Sequence, residues 1–250
     1  MKKVLYLALL AGFGLTSCKK SDTNGGSGNN SNNPAPSIDK FMSFTTGSTW
    51  NYQTVNNDSI TDITNYTLTC SDIDTTIGSK TYRIFYATDT SGSTEEYYNN
   101  TGRDYYQYTQ LSDLLPALDL RYLNDSLPAG SNWTSQPITI TQQVNVPNFP
   151  FPVNVTLSAS LKTTIEEKGM TMVVNGNNYS NVIKVKTELV NLSISPNLIT
   201  IAVESQNILN YFAPKYGRIK GDFQLRVTAS GLGDVINSNT STTLLSAQIQ

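Results

Sequence analysis

The chain contains no histidine. That absence removes the commonest general base and zinc ligand, and with them the Ser-His-Asp and Cys-His arrangements. Cysteine is almost missing too, with only Cys18 and Cys70 present. Charge is sparse: 17 basic residues stand against 19 acidic ones, for a formal net of −2. No basic field exists to neutralise phosphates, so nucleic acid is not an expected partner. The N-terminal apolar run, Val4 to Leu15, is too short to span a bilayer as a permanent helix.

What is there begins with an address. MKKVLYLALLAGFGLTSC sets Lys2 and Lys3 before the apolar stretch and small residues before Cys18, the layout of a secretory signal. The motif Leu15-Thr16-Ser17-Cys18 resembles the bacterial lipoprotein box. The resemblance implies that the Cys18 thiol takes diacylglycerol, that residues 1–17 are removed as a signal peptide, and that the new amino terminus is acylated with a chain such as palmitate. The alternative is an ordinary signal with an incidental cysteine. Two or three acyl chains, at roughly 0.8 kcal/mol per buried methylene, anchor durably where one chain does not.

Removing residues 1–17 deletes two lysines and no acids, leaving 15 basic against 19 acidic residues and a net of −4. The second mature residue is Lys19, not the aspartate that resembles an inner-membrane retention signal, which implies the outer membrane. Lys19-Lys20-Ser21-Asp22 loosely resembles the export tag of Bacteroidota-type surface lipoproteins but lacks a clean acidic pair. Cell surface and periplasmic face both stay open. Residues 18–37 carry the lipidated cysteine and a tether with almost nothing apolar to bury, a composition expected to stay disordered. Such a tether spans about 25 Å on average and about 65 Å fully extended.

Residues 38–250 are expected to form a single β-rich domain, since period-two alternation dominates them. In VNVTLSASLKTTIEE, Val153, Val155, Leu157, Ala159, Leu161 and Ile165 share one face, while Asn154, Thr156, Ser158, Ser160, Lys162, Thr164 and Glu166 share the other. At about 3.3 Å per residue that strand runs near 45 Å, and a flat strand so long would overhang any core. A curved sheet is therefore predicted. ITITQQVNV alternates likewise, and RIKGDFQLRV sets Ile219, Phe223, Leu225 and Val227 against Arg218, Lys220, Asp222, Gln224 and Arg226. In NVIKVKTELVNLSI the apolar parity changes after Val185, which predicts a β-bulge near Glu188 to Val190.

EEYYNNTGRDYYQY reads as a hairpin around Asn99 to Gly102, and VPNFPFPVN as a loop stiffened by Pro147, Pro150 and Pro152. Only LSDLLPALDL shows helical spacing, through Leu111, Leu114, Leu115 and Leu118, and Pro116 limits it to a short helix. GSTWNYQ from Gly47 and GSNWTSQ from Gly130 echo each other as Gly-Ser-x-Trp ahead of long alternating strands. Two related β-modules would produce this, as would convergence at strand entrances.

The order of Gly47-Ser48-Thr49-Trp50-Asn51-Tyr52, NYSNVIKVKTEL and NYFAPKYGRIKGDF resembles a family of uncharacterised Bacteroidota-type outer-membrane or surface lipoproteins. The closing hairpin also resembles the curved antiparallel sheet of the LolA and LolB lipoprotein carriers. That likeness implies an apolar concave face able to hold acyl chains. These motifs are short, and they carry fold rather than chemistry.

The chemistry is thin. Glu95-Glu96 and Glu166-Glu167 are the visible carboxylate pairs, but neighbours on a strand point to opposite faces, so neither pair is expected to converge on a substrate. In SDIDTTIGS, Asp72 and Asp74 begin like a calcium loop, but Thr76 takes the third ligand position and Gly78 comes one position late. No metal and no cofactor are expected. Cys70 shares a strand face with Tyr66 and Leu68 and reads as a small buried apolar residue. The aromatics are the better lead. Tyr97, Tyr98, Tyr105, Tyr106 and Tyr108 crowd one hairpin, where they suit sugars, peptides or amphiphiles as well as cross-strand packing. Phe149 and Phe151 either form an exposed apolar tip or fold back onto the sheet. Asp58-Ser59-Ile60, Asp74-Thr75-Thr76 and Asp125-Ser126-Leu127 resemble O-glycosylation triplets of Bacteroidota-type exported proteins.

The expected fold is all-β: a long antiparallel sheet bent into an open barrel or half-barrel, with at most one or two short helices. The expected function is non-catalytic: a membrane-anchored lipoprotein that binds an apolar or amphiphilic ligand, with Tyr97, Tyr105, Phe149 and Phe151 as ligand candidates. The alternative is a surface adhesion or scaffold module presenting aromatic loops to glycans or proteins.

Overall fold

The structure, a computed structural model, describes residues 40–59, 62–109, 117–144, 150–196, 199–230 and 233–250. Within them the chain forms thirteen strands and no helix. The strands are β1 (Thr49–Asn56), β2 (Ile63–Ile77), β3 (Lys80–Asp89), β4 (Gly92–Thr101), β5 (Asp104–Thr109), β6 (Leu118–Asn124), β7 (Asn132–Thr134), β8 (Ile138–Val144), β9 (Val153–Val174), β10 (Asn177–Ser195), β11 (Ile201–Ala213), β12 (Gly217–Ala229) and β13 (Gly233–Gln248). All belong to one antiparallel sheet in the order β6-β5-β4-β3-β2-β1-β13-β12-β11-β10-β9-β7, with β8 beside β7 on the edge of β9.

The sheet is open, yet its distant strands meet across the inner face. Tyr122 of β6 packs on Phe212 of β11 with ring centroids 5.3 Å apart, and Arg218 of β12 donates to the Tyr66 hydroxyl of β2 at 3.0 Å. The curvature comes from long strands with irregular register. β9 runs 22 residues, about 70 Å at the ordinary rise, well past Glu167 where the plainest alternation stops. It pairs with β10 through register shifts at Tyr179/Val182, Val182/Ile183, Lys184/Val185 and Val190/Ser193. Each shift bends and twists the ribbon. The last falls at Asn191, which takes a left-handed φ of 54°, just beyond the expected Glu188 to Val190.

One end of the sheet holds the core. Trp50, Phe85, Tyr105, Leu123, Ile165, Val182, Ile183, Ile219 and Leu244 are fully enclosed there. Phe41 and Met42 fold over this end, with Met42 bridging Tyr216. The stretch Leu111 to Pro116, expected as a short helix, lies outside the described residues, as do residues 1–39 with Cys18, and Phe149.

The Gly-Ser-x-Trp echo is structural. Gly47 and Gly130 take φ of +83° and +87°, the left-handed region that glycine enters freely. Gly47 N donates to Cys70 O at 2.9 Å and Cys70 N to Ser48 O at 2.9 Å; Gly130 N donates to Ile165 O at 2.8 Å and Ile165 N to Ser131 O at 2.9 Å. In both copies the tryptophan then pairs two residues back along the partner strand, Trp50 with Leu68 and Trp133 with Thr163.

Candidate functional site

Alternation on β4 and β5 splits the tyrosine-rich hairpin between two faces. Tyr98 and Tyr105 point inward; Tyr97, Tyr106 and Tyr108 point outward. Outside, Tyr97 and Tyr108 meet edge to face with centroids 6.4 Å apart, and Lys80 Nζ lies 3.1 Å above the Tyr106 ring. Tyr97 donates to Glu95 at 2.7 Å, and burial, then that carboxylate, push its pKa up to about 12. The two tyrosine candidates, Tyr97 and Tyr105, are therefore on opposite sides of the sheet.

Tyr105 is fully buried. Its hydroxyl accepts from Phe41 N at 2.9 Å and donates to Asp125 at 2.9 Å, and Arg103 bonds the other Asp125 oxygen at 3.1 Å. Those contacts fasten the first described residues to the sheet. Phe151 is 75% exposed, between Pro150 and Pro152 at the opposite end of the sheet from Phe41. Cys70 is buried and unpaired, and burial raises its thiol pKa against the pull of Arg83.

Parity failed for one carboxylate pair. Glu166 and Glu167 both reach Lys184, at 2.8 and 3.5 Å, because the register shift at Lys184/Val185 inserts Glu166 as an extra residue. They clamp a lysine. Asp74 pairs with Arg83, and among the described residues no group of three potential ligands is placed to hold a metal.

The distinctive cluster is one the alternation reading put on the wrong face. β12 carries a bulge opposite Tyr211 and Phe212, where Ile219 is the extra residue. Arg218 is thereby carried inward, into a layer with Tyr52, Tyr66, Tyr98 and Tyr122. Tyr52 stacks on Tyr66 at 5.2 Å and donates to the Arg218 carbonyl at 2.8 Å. The guanidinium lies 5.7 Å from the Tyr52 ring. Of its five N–H donors, one is engaged among the described residues, through Tyr66. No carboxylate comes within ion-pair distance among the described residues. Burial opposes the charge of Arg218, but the fields of Tyr66, Tyr52, Tyr98 and Glu96 outweigh it and hold the guanidinium charged more firmly than usual.

Glu96 shares this layer. Its carboxylate accepts from Tyr98 and, at 3.3 Å, from Gln107. Desolvation first, and then Glu96, raise the Tyr98 pKa strongly. Desolvation raises Tyr52, Tyr66 and Tyr122 as well, and Arg218 opposes it in each. The sealed, unpartnered polar atoms among the described residues are Trp50 Nε1 and Thr163 Oγ1. The N–H groups of Arg218 are not among them, and the residue as a whole is half-buried. Beyond this layer, Leu157, Leu189 and Phe223 remain half-exposed on the inner face.

Two open surface depressions mark the described residues. One, of ≈ 340 Å³, is lined by Phe41, Lys168, Gly169, Asn181 and Pro214. The other, of ≈ 290 Å³, runs along β1 to β3 beside Asn51, Tyr52, Asn65, Tyr66 and Asp89, and so borders the tyrosine layer.

No protein-family profile matches the chain, and no curated protein matches it in sequence. Among solved structures, a candidate lipoprotein from Parabacteroides distasonis is similar over 84% of this chain and 98% of its own, with 9% identity and a TM-score of 0.37.

Proposed function

We propose that this chain is a non-catalytic lipoprotein, anchored to the outer membrane through Cys18, whose curved sheet receives an amphiphilic ligand on its inner face. The observation that carries this reading is Arg218: a half-buried, charged guanidinium among tyrosines, with one hydrogen bond, to Tyr66, and no carboxylate at ion-pair distance among the described residues. An isolated charge is costly to enclose unless something pairs with it. Half-exposed apolar residues farther along the same inner face as a polar anchor suit a molecule with both characters. Of the carrier resemblance, the curved antiparallel sheet is the part this reading uses.

The test has two arms. Native protein should partition with membranes and Cys18→Ser protein should not. The mature Cys18→Ser chain, purified without detergent, should carry an extractable amphiphile in native mass spectrometry. A Cys18→Ser chain that stays on the membrane overturns the anchor, and an empty chain overturns the ligand.

A second reading has its own observation. Tyr97, Tyr106 and Tyr108 form an outer aromatic surface with Lys80 and Asp119, and Phe151 projects at the end opposite Phe41. That combination suits a glycan or protein partner. Binding lost on Tyr106→Ala and Tyr108→Ala, but kept on Arg218→Met, would select it.

A further inference from the structure

Arg218 and Glu96 sit in one tyrosine layer, electrostatically coupled, yet no oxygen of Glu96 approaches a guanidinium nitrogen to ion-pair distance. Each charge instead has partial, neutral partners: Tyr66 for Arg218, Tyr98 and Gln107 for Glu96. Only one Glu96 oxygen is engaged, so the other is free to accept. Two opposite charges held apart on the same inner face make a receptor for a molecule carrying both.

We propose that this layer recognises a zwitterionic head group, its acidic end on the Arg218 fork and its ammonium on Glu96. The proposal rests on the amphiphile reading above and specifies its head group. A fork of N–H donors matches the paired oxygens of a phosphate or carboxylate. The free Glu96 oxygen accepts from an ammonium beside Tyr98, and Tyr52 and Tyr66 flank the guanidinium. A purely anionic head group would satisfy Arg218 but bring its charge against Glu96. A neutral one would leave both charges unpaired.

The experiment uses the mature chain with Cys18→Ser, so that its own acyl chains do not compete, titrated with short-chain lipids below their micelle concentration. Dihexanoyl phosphatidylethanolamine should bind at least tenfold more tightly than dihexanoyl phosphatidylglycerol or dihexanoylglycerol. Free phosphoethanolamine separates the sources: binding weaker than the lipid supports a membrane-derived ligand, and equal binding supports a free zwitterion. Glu96→Gln should reverse the preference toward phosphatidylglycerol. Arg218→Met should cost tenfold or more for both charged lipids, and Arg218→Lys should recover part of it. Circular dichroism on each variant confirms the fold, and Tyr66→Phe provides a milder perturbation of the same site.

Equal binding of all three lipids by the parent and by every folded variant overturns the head-group assignment while leaving the amphiphile reading intact. Failure of all three lipids to bind overturns both.

Discussion

The Trp133 indole of β7 donates to the Arg121 carbonyl of β6 at 2.8 Å, with the Arg121 guanidinium 4.3 Å above the same ring. These two strands are the ends of the sheet, so a side chain bridges a seam where no ladder forms. Its counterpart in the other Gly-Ser-x-Trp copy, Trp50, lies where β1 is paired on both sides and has no partner for its own N–H. Lys168 reinforces the seam by donating to the Asp125 and Leu127 carbonyls at 2.7 and 3.1 Å.

Trp133→Phe should therefore lower stability by about 1–3 kcal/mol, from one lost hydrogen bond and some lost ring contact. Hydrogen exchange should rise first in β6, residues 118–124. Lys168→Met should accelerate the same amides. Uniform acceleration over the whole sheet would show that the seam is not a separate unit.

Tyr105→Phe removes the donor to Asp125 and the acceptor for Phe41 N. Leaving two buried groups unsatisfied costs about 2–4 kcal/mol. Because one of them anchors the first described segment, trypsin cleavage after Lys40 should accelerate more than cleavage elsewhere. Unchanged cleavage there would remove Tyr105 as the fastening.

Gly47→Ala and Gly130→Ala should each cost about 1–2 kcal/mol by urea midpoint, the penalty for a Cβ at left-handed φ. Space is not the cause: an added Cβ meets only Gln250 Cγ at 3.7 Å in one case and nothing within 4 Å in the other. Similar losses at the two sites would support the shared geometry.

Tyr52, Tyr66, Tyr97, Tyr98 and Tyr122 all have raised pKa values, chiefly through desolvation. Above about pH 10 the unfolded chain loses phenolic protons that the folded chain retains. Their contribution is thus complete below that pH, and stability falls as pH rises toward the folded values. Absorbance at 295 nm should show these five tyrosines ionising only together with loss of β-sheet circular dichroism. Ionisation of every tyrosine near pH 10 in a folded protein would contradict this.

Several features were legible in the residues alone. Alternation from Val153 to Glu166 marked a strand too long to be flat, and the hairpin at Asn99 to Gly102 was readable from its turn residues, with Gly102 at φ 62°. The site was less legible. Arg218 reads as outward in RIKGDFQLRV because alternation assumes an uninterrupted pleat, and the bulge at Ile219 is set by pairing with a different segment, β11. Glu166 and Glu167 misled for the same reason.

The sequence by itself determined strand identity and face parity, because those depend on φ/ψ preference and on side chains two residues apart. Only the tertiary structure decided which parity was inner, where register slipped, and that Tyr66, Tyr98 and Arg218 would meet. Those outcomes depend on hydrogen-bonded pairing between segments up to 202 residues apart, a competition that no local stretch encodes.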